Sequence, residues 1–339
     1  MNTNDFDFNL PEELIAQTPI KNRSESKLLV LDKETGEITH KTFSNIIEYL
    51  DDNDVLVLND TKVIPARIFG NKEETNAKIE MLLLKDLGNN IYEVLVKPAR
   101  RIKIGDVVSF NEGMLRCKCV ETFTEGLAHF EMIYDGILFE ILEKIGQMPL
   151  PPYIREKLDD KDRYQTVYAL NQGSAAAPTA GLHFTKELLQ KIKEKNIIIT
   201  YVTLHVGLGT FRPVSVDNVL EHKMHEEEYF VSKETADILN NAIKNNKRII
   251  AVGTTSTRTL ESAYDNGFKE SHGNTSIFIY PGYKFKVVNA QITNFHLPKS
   301  TLMMLVSALS SKEKILNAYN EAIKERYRFF SFGDSMFIK

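Results

Sequence analysis

Cysteine is nearly absent from this chain of 339 residues: only Cys117 and Cys119 occur. Their C-x-C spacing inside an alternating segment puts both on one face of a strand, and no second pair completes a zinc site. Two buried, reduced thiols are expected, which fits a reducing cytosol. Long apolar runs are missing too. Residues 197–199 and 302–306 make stretches far too short to span a bilayer. The opening segment MNTNDFDFNLPEEL has no basic region ahead of an apolar run, so no secretory signal is expected. The expectation is a cytoplasmic protein with no membrane partner. There is no G-x-x-x-x-G-K-[ST] phosphate loop and no H-E-x-x-H. Gly207-Leu208-Gly209 runs into Thr210-Phe211-Arg212, so the dinucleotide fingerprint fails, and no methyltransferase glycine loop is found. No repeat of solenoid period is visible.

What is present is an ordinary globular composition, 42% hydrophobic and 26% charged, at a length that suggests about two domains. The net charge of −4 does not advertise a nucleic-acid binder, but affinity for phosphate follows local patches. Lys97, Arg100, Arg101 and Lys103 make one basic cluster; Lys324, Arg326 and Arg328 make another.

The texture of the chain changes twice. From about residue 79 to 133, short alternating runs (78–84, 91–97, 107–110, 115–121 and 127–133) are separated by Gly- and Asn-rich turn signals. That spacing predicts a small β-barrel or sandwich. On both sides the pattern is α/β. A strand is expected at 55–58, and strands again at 197–206, 248–252, 276–280 and 290–293. Helices are expected at 185–195, 232–245, 256–265, 300–310 and 312–327. Met148-Pro149-Leu150-Pro151-Pro152 is an extended connector. The predicted fold is a discontinuous α/β domain with a mixed sheet, residues 1–66 and 149–339, carrying a smaller inserted β-barrel domain, residues 67–148.

Polar loops fall where the expected strands end. Asn59-Asp60-Thr61-Lys62 follows an apolar strand, with Arg67 soon after; a carboxylate there suits sugar hydroxyls, or else bonds its own turn. Small residues from Gly173 to Gly181 end in Leu182-His183-Phe184, just before a helix. Thr203-Leu204-His205-Val206-Gly207 empties a strand into a Gly-x-Gly turn. His222-Lys223-Met224-His225-Glu226-Glu227-Glu228 packs imidazoles beside carboxylates, without a third ligand at a diagnostic metal spacing. Gly253-Thr254-Thr255-Ser256-Thr257-Arg258 opens a helix, where backbone N–H groups suit an anion or Thr255 or Ser256 simply caps. Thr293-Asn294-Phe295-His296 repeats that arrangement. In an open α/β sheet such loops gather at one edge, where ligands bind.

Together and in order, these segments resemble the S-adenosylmethionine:tRNA ribosyltransferase-isomerases of queuosine biosynthesis. The likeness runs through nearly the whole chain. It includes Leu58-Asn59-Asp60-Thr61-Lys62-Val63-Ile64-Pro65-Ala66-Arg67, Ala177-Pro178-Thr179-Ala180-Gly181-Leu182-His183-Phe184, Thr203-Leu204-His205-Val206-Gly207, Thr293-Asn294-Phe295-His296-Leu297-Pro298 and Tyr327-Arg328-Phe329-Phe330-Ser331. Lys27, Asn289 and Asn76-Ala77 depart from the family pattern, which usually shows Arg, Asp and a glycine pair there.

The resemblance implies that the ribosyl part of S-adenosylmethionine is moved onto 7-aminomethyl-7-deazaguanine in tRNA and rearranged, with adenine and methionine leaving. S-adenosylmethionine is then a consumed co-substrate, with no retained cofactor and no metal; a monomer is the expectation. Set against that reaction, the base falls to His205 or Glu227, with His183 or His225 near the leaving adenine. Asp60 holds ribose hydroxyls, Thr254, Thr255 and Arg258 take the methionine carboxylate, and Phe295 stacks on a base. Thr61, Arg67, Asn294 and His296 complete the expected substrate contacts, and Lys97, Arg100 and Arg101 steer the tRNA backbone. Two other readings compete: a catalytically inactive tRNA-binding protein and an S-adenosylmethionine-dependent tRNA methyltransferase.

Overall fold

The computed structural model describes residues 1–156, 158, 160–207, 214 and 216–339. Contacts divide the chain into two units: Met1–Thr61 with Pro152–Asn171 and Pro178–Lys339, and Lys62–Pro151 with Gln172–Ala177. Strands and helices are numbered along the chain.

The first unit is built on a nine-stranded mixed sheet. Its strands are β1 (Lys27–Leu31), β2 (Ile38–Thr42), β3 (Asp54–Asn59), β12 (Ile198–Leu204), β13 (Glu227–Val231), β14 (Arg248–Val252), β15 (Ser271–Thr275), β16 (Ala290–Asn294) and β17 (Ser335–Ile338), in the order β15-β13-β12-β3-β14-β16-β17-β1-β2. The central strands β12, β3, β14 and β16 are parallel, as strands with continuous apolar runs and both faces covered should be. Alternate residues of β3 go to opposite faces. Leu56 and Leu58 pack with Leu188, Leu189 and Ile192 of α2 (Lys186–Glu194). Val55 and Val57 pack with Ala236 and Leu239 of α3 (Lys233–Lys244) and Leu260 of α4 (Gly253–Ala263). A further core joins α5 (Thr301–Leu309) and α6 (Lys312–Lys324) to Leu29, Leu31, Met336 and Ile338. Thr185 and Ser232 cap α2 and α3 through their hydroxyls.

Two expectations fail in this unit. Residues 276–280 are not a strand. The polar Ser271–Thr275 pairs with β13 instead, while Ile277, Phe278, Ile279 and Tyr280 pack on the α5–α6 core from a loop. The run is apolar because it is buried, and burial does not by itself make a ladder. The helix expected from residue 256 also starts earlier, at Gly253, so the threonines sit inside its first turn.

In the second unit, β5 (Arg67–Lys72), β6 (Lys78–Asp86), β7 (Ile91–Lys97), β8 (Val107–Phe110), β9 (Leu115–Thr122) and β10 (Leu127–Ile133) close a barrel, every pair antiparallel. The fold is thus a mixed-sheet α/β unit with a β-barrel. Alternation is strict: Cys117 and Cys119 point inward from β9 as free, buried thiols, between exposed Arg116 and Lys118. Asn76, at φ +53°, supplies the left-handed turn between β5 and β6, so the missing glycine pair costs no change of turn. The unit also holds α1 (Leu138–Ile145), and β4 (Thr61–Val63) pairs with β11 (Asn171–Ser174) in a separate ribbon, which is how residues 172–177 join it. Among the described residues no helix is long and apolar enough to cross a membrane.

Candidate functional site

Because β12, β3, β14 and β16 run parallel, their C-terminal ends lie on one edge of the sheet. The antiparallel neighbours bring their beginnings to it: Glu227 of β13, and Ser335 of β17 opposite Asn294. The edge therefore collects Asp60, Thr61, His205, Glu227, Gly253–Thr255 and Asn294 from segments far apart in sequence.

Asn59 holds the first part of this edge together. Its Oδ1 accepts from the backbone N–H groups of Thr61 (3.1 Å) and Leu204 (3.0 Å), and its Nδ2 donates to Leu204 O at 3.1 Å. Asp60 is buried beside it. Asn171 Nδ2 donates to both its oxygens at 3.1 Å, and Thr203 Oγ1 donates to one at 2.6 Å. Burial pushes this carboxyl's pKa up, and those hydrogen bonds pull against it. Three hydrogen bonds from two side-chain donors leave capacity on a group with about four lone-pair sites, so Asp60 can still accept from a hydroxyl.

Thr61 Oγ1 lies 2.7 Å from His205 Nδ1. His205 is half-buried, packs edge-on against Phe230, and has its backbone N–H bonded to Glu228 O. Burial lowers its pKa below the usual imidazole value, with Glu228 and Asp60 opposing. At neutral pH it is an uncharged ring, ready to accept a proton. Residues 208–211 of the expected Gly-x-Gly turn lie outside the described residues.

Glu227 takes a different part from the one expected. It is buried in an ion pair with Arg258 Nη1, and its other oxygen accepts from Gly207 N at 3.0 Å. A carboxylate so engaged must give up a buried charge-assisted bond before taking a proton, which favours His205 over Glu227 as the base. Arg258 spends Nη1 on that pair, and among the described residues its Nε and Nη2 have no partners.

Helix α4 begins at this edge with no side-chain cap. Ser256 Oγ donates back to Val252 O at 2.8 Å rather than capping, and among the described residues Thr255 Oγ1 has no partner. Gly253 takes φ +88°, a backbone conformation L-residues avoid, and turns β14 directly into the helix. Buried N–H groups at an uncapped helix start, with an unspent hydroxyl, are a seat for an anion.

His183 lies in a short helical turn, Thr179–His183, that packs near α4 and β16. Gly181 has no room for a side chain, because a Cβ there would sit 2.1 Å from Tyr168 Oη. His183 Nδ1 is 2.7 Å from Ser26 Oγ, and its ring lies 5.0 Å from that of Phe43. Full burial, against the opposing pull of Asn294, brings its pKa down to about 3. It is neutral, so it cannot give up a proton as an imidazolium near neutral pH. Among the described residues its Nε2 and Asn294 Oδ1 make no hydrogen bond of good geometry, although the Asn294 side chain lies close enough to oppose the effect of burial. Buried polar atoms left open in this way ask for a ligand or water.

The other expected contacts have surroundings of their own. Phe295 is fully buried among Tyr319, Tyr327 and Phe329, with no face open to a base, and belongs to the core. His296 is buried between Thr293 Oγ1 (3.1 Å) and Tyr319 Oη (3.2 Å), and burial lowers its pKa to about 3; it is a structural imidazole. His225 is exposed, close to His222, whose ring packs on Phe278. Arg67 lies on β5 of the barrel unit, its Nε 3.4 Å from Glu80 Oε1. Lys97, Arg100 and Arg101 are exposed on the same unit. Lys27 places its ammonium on Glu325 O and over the Tyr327 ring, and Asn289 Oδ1 accepts from Ile249 N, so both departures from the family pattern have partners. Asn59, Asn171 and Ser26 were not anticipated: carboxamides and hydroxyls that act by bridging strands carry no local signature.

The geometry has a counterpart among known proteins. A model of the family described as queuosine biosynthesis protein matches residues 3–338. The chain is 62% identical, over all of both chains, to proteins named S-adenosylmethionine:tRNA ribosyltransferase-isomerase from Clostridioides difficile (strain 630) and Macrococcus caseolyticus (strain JCSC5402). It is similar to the crystal structure of an S-adenosylmethionine tRNA ribosyltransferase from Thermotoga maritima, with a TM-score of 0.58 and 39% identity over 99% of this chain and 100% of that one. A match of this length and identity makes the chain a member of the queuosine biosynthesis protein family.

Proposed function

We propose that the protein transfers and isomerises the ribosyl part of S-adenosylmethionine onto 7-aminomethyl-7-deazaguanine in tRNA. The products are epoxyqueuosine-tRNA, adenine and methionine, and the work is done in the cytoplasm. Relatives of that name over the full length support this reading above an inactive tRNA binder or a methyltransferase. The observation that carries it is a neutral His205 bonded to Thr61, and a buried Asp60 held by Thr203, at an edge that also holds the uncapped start of α4.

The sulfonium acidifies the hydrogens on the ribose carbon bonded to it. In the tautomer that donates Nδ1–H to Thr61 Oγ1, 2.7 Å away, His205 Nε2 carries the lone pair that takes that proton. A base of this kind contributes about 100- to 10,000-fold. Asp60 accepts from the ribose hydroxyls. The start of α4, with Thr254, Thr255 and the spare donors of Arg258, receives the methionine carboxylate. Neutral His183 and Asn294 serve as hydrogen-bonding groups toward the adenine.

The test is incubation with S-adenosylmethionine and tRNA bearing the deazaguanine precursor. Free adenine and the modified nucleoside are expected; S-adenosylhomocysteine would mean a methyltransferase, and neither product an inactive binder. Since the sulfonium itself supplies the activation, activity survives a chelator. Activity lost to chelation and restored by zinc would reverse that.

A further inference from the structure

The barrel unit carries a concavity of about 970 Å³ that contains none of the residues of the sheet edge. Its floor is the outer face of β5, β6 and β7. The register sets Phe69 opposite Glu80 and Glu80 opposite Lys97, with Asn71 opposite Lys78 one step along. Pro98 and Asn111 wall it. Phe69 is 51% exposed, whereas its strand neighbour Ile68 is fully buried in the barrel. The barrel fills its interior with Ile68, Ile79, Met81 and Val96, so its packing does not require a phenyl ring in solvent.

Charge around that ring is unbalanced. Glu73 is held by Arg116 at 2.6 Å, Glu80 by Arg67 at 3.4 Å, and Lys72 by Asp106 at 2.7 Å. Among the described residues no carboxylate pairs with Lys78 or Lys97, nor with nearby Arg100 and Arg101. Glu112 at the rim is the one lining carboxylate without a partner among them. An exposed aromatic flanked by free cations is how proteins grip single-stranded nucleic acid: bases stack on the ring and phosphates meet the ammonium groups.

We infer that this groove seats an unpaired nucleotide of the tRNA, stacked on Phe69 with Lys78 and Lys97 at its phosphates. The inference rests on tRNA being the substrate and adds where the barrel holds it. The test is fluorescence titration of the full-length protein with tRNA and with a blunt RNA duplex. Phe69→Ala weakens tRNA binding about 10-fold or more, leaves the duplex unaffected and leaves KM for S-adenosylmethionine unchanged, while Phe69→Trp keeps affinity. Lys97→Ala reduces the slope of log affinity against log salt by roughly 0.7–0.9.

Wild-type tRNA affinity in folded Phe69→Ala overturns the proposal, as does equal weakening toward the duplex. Should Phe69→Ala not fold, unchanged affinity in Lys97→Glu overturns it alone. A protein that releases no adenine yet binds tRNA through Phe69 defeats the reaction and keeps the groove; adenine release with Phe69-independent binding does the reverse.

Discussion

The sheet edge and the barrel groove bury and expose opposite things. At the edge, polar atoms are taken out of water, and among the described residues Thr255 Oγ1 and two nitrogens of Arg258 are left short of partners. On the barrel, the carboxylates of Glu73 and Glu80 are matched by guanidinium groups, and what stays unmatched is an aromatic ring and cations in solvent. Desolvated, unsatisfied groups suit recognition of a small molecule in a fixed pose, because each wrong ligand leaves a buried atom unpaired. Exposed rings and lysines suit a long, flexible polyanion. On the function proposed above, chemistry falls to one unit and grip to the other.

The comparison breaks most visibly at His205. His205→Ala is expected to cut adenine release by about 100- to 10,000-fold while tRNA affinity stays at the wild-type level. Near-normal turnover would leave the edge without a base. Wild-type kcat/KM should also hold to lower pH than a free imidazole allows, since burial keeps His205 deprotonated there.

Next comes the buried ion pair. Glu227→Ala leaves the Arg258 charge alone in the interior and should cost about 3–5 kcal/mol of stability, read by denaturant unfolding. A variant of unchanged stability that has lost turnover would return Glu227 to the chemistry.

A graded effect appears in acid. His183 and His296 have folded pKa values of about 3, below those of the unfolded chain. The unfolded state therefore binds more protons, and stability present above about pH 6.5 is lost as pH falls toward 3. Each imidazole contributes a slope of about 1.4 kcal/mol per pH unit. Both lie in the sheet unit, so thiol labelling of buried Cys117 and Cys119 should lag behind the acid loss of sheet structure. Simultaneous exposure of the thiols would show that the barrel has no stability of its own.

Much of this was legible in the chain. Strict alternation from Leu115 to Cys119 gave away the barrel, because a period of two has few other uses. The apolar strands before Asp60, His205 and Thr254 marked the edge. What stayed hidden was pairing across distance. Ser271–Thr275 has no strand-like composition and forms a ladder only because β13 is beside it. Phe295 and His296 occupy the same loop position as Thr254, but the loop turns them into the aromatic core, and nothing in Asn-Phe-His tells inward from outward. Glu227 looked like a base until Arg258, thirty-one residues on, was seen to hold it.

The interleaving of the two units also bears on how the chain assembles. Val55 of β3 finds its partners only in Ile198 and Ile249, whereas each barrel strand meets a neighbour within the stretch from Arg67 to Ile133. During synthesis the barrel's hairpins can therefore close while β3, an apolar ribbon, still waits for most of the sheet to emerge. That interval, and not the finished molecule, is when the apolar face of β3 is most open to wrong partners.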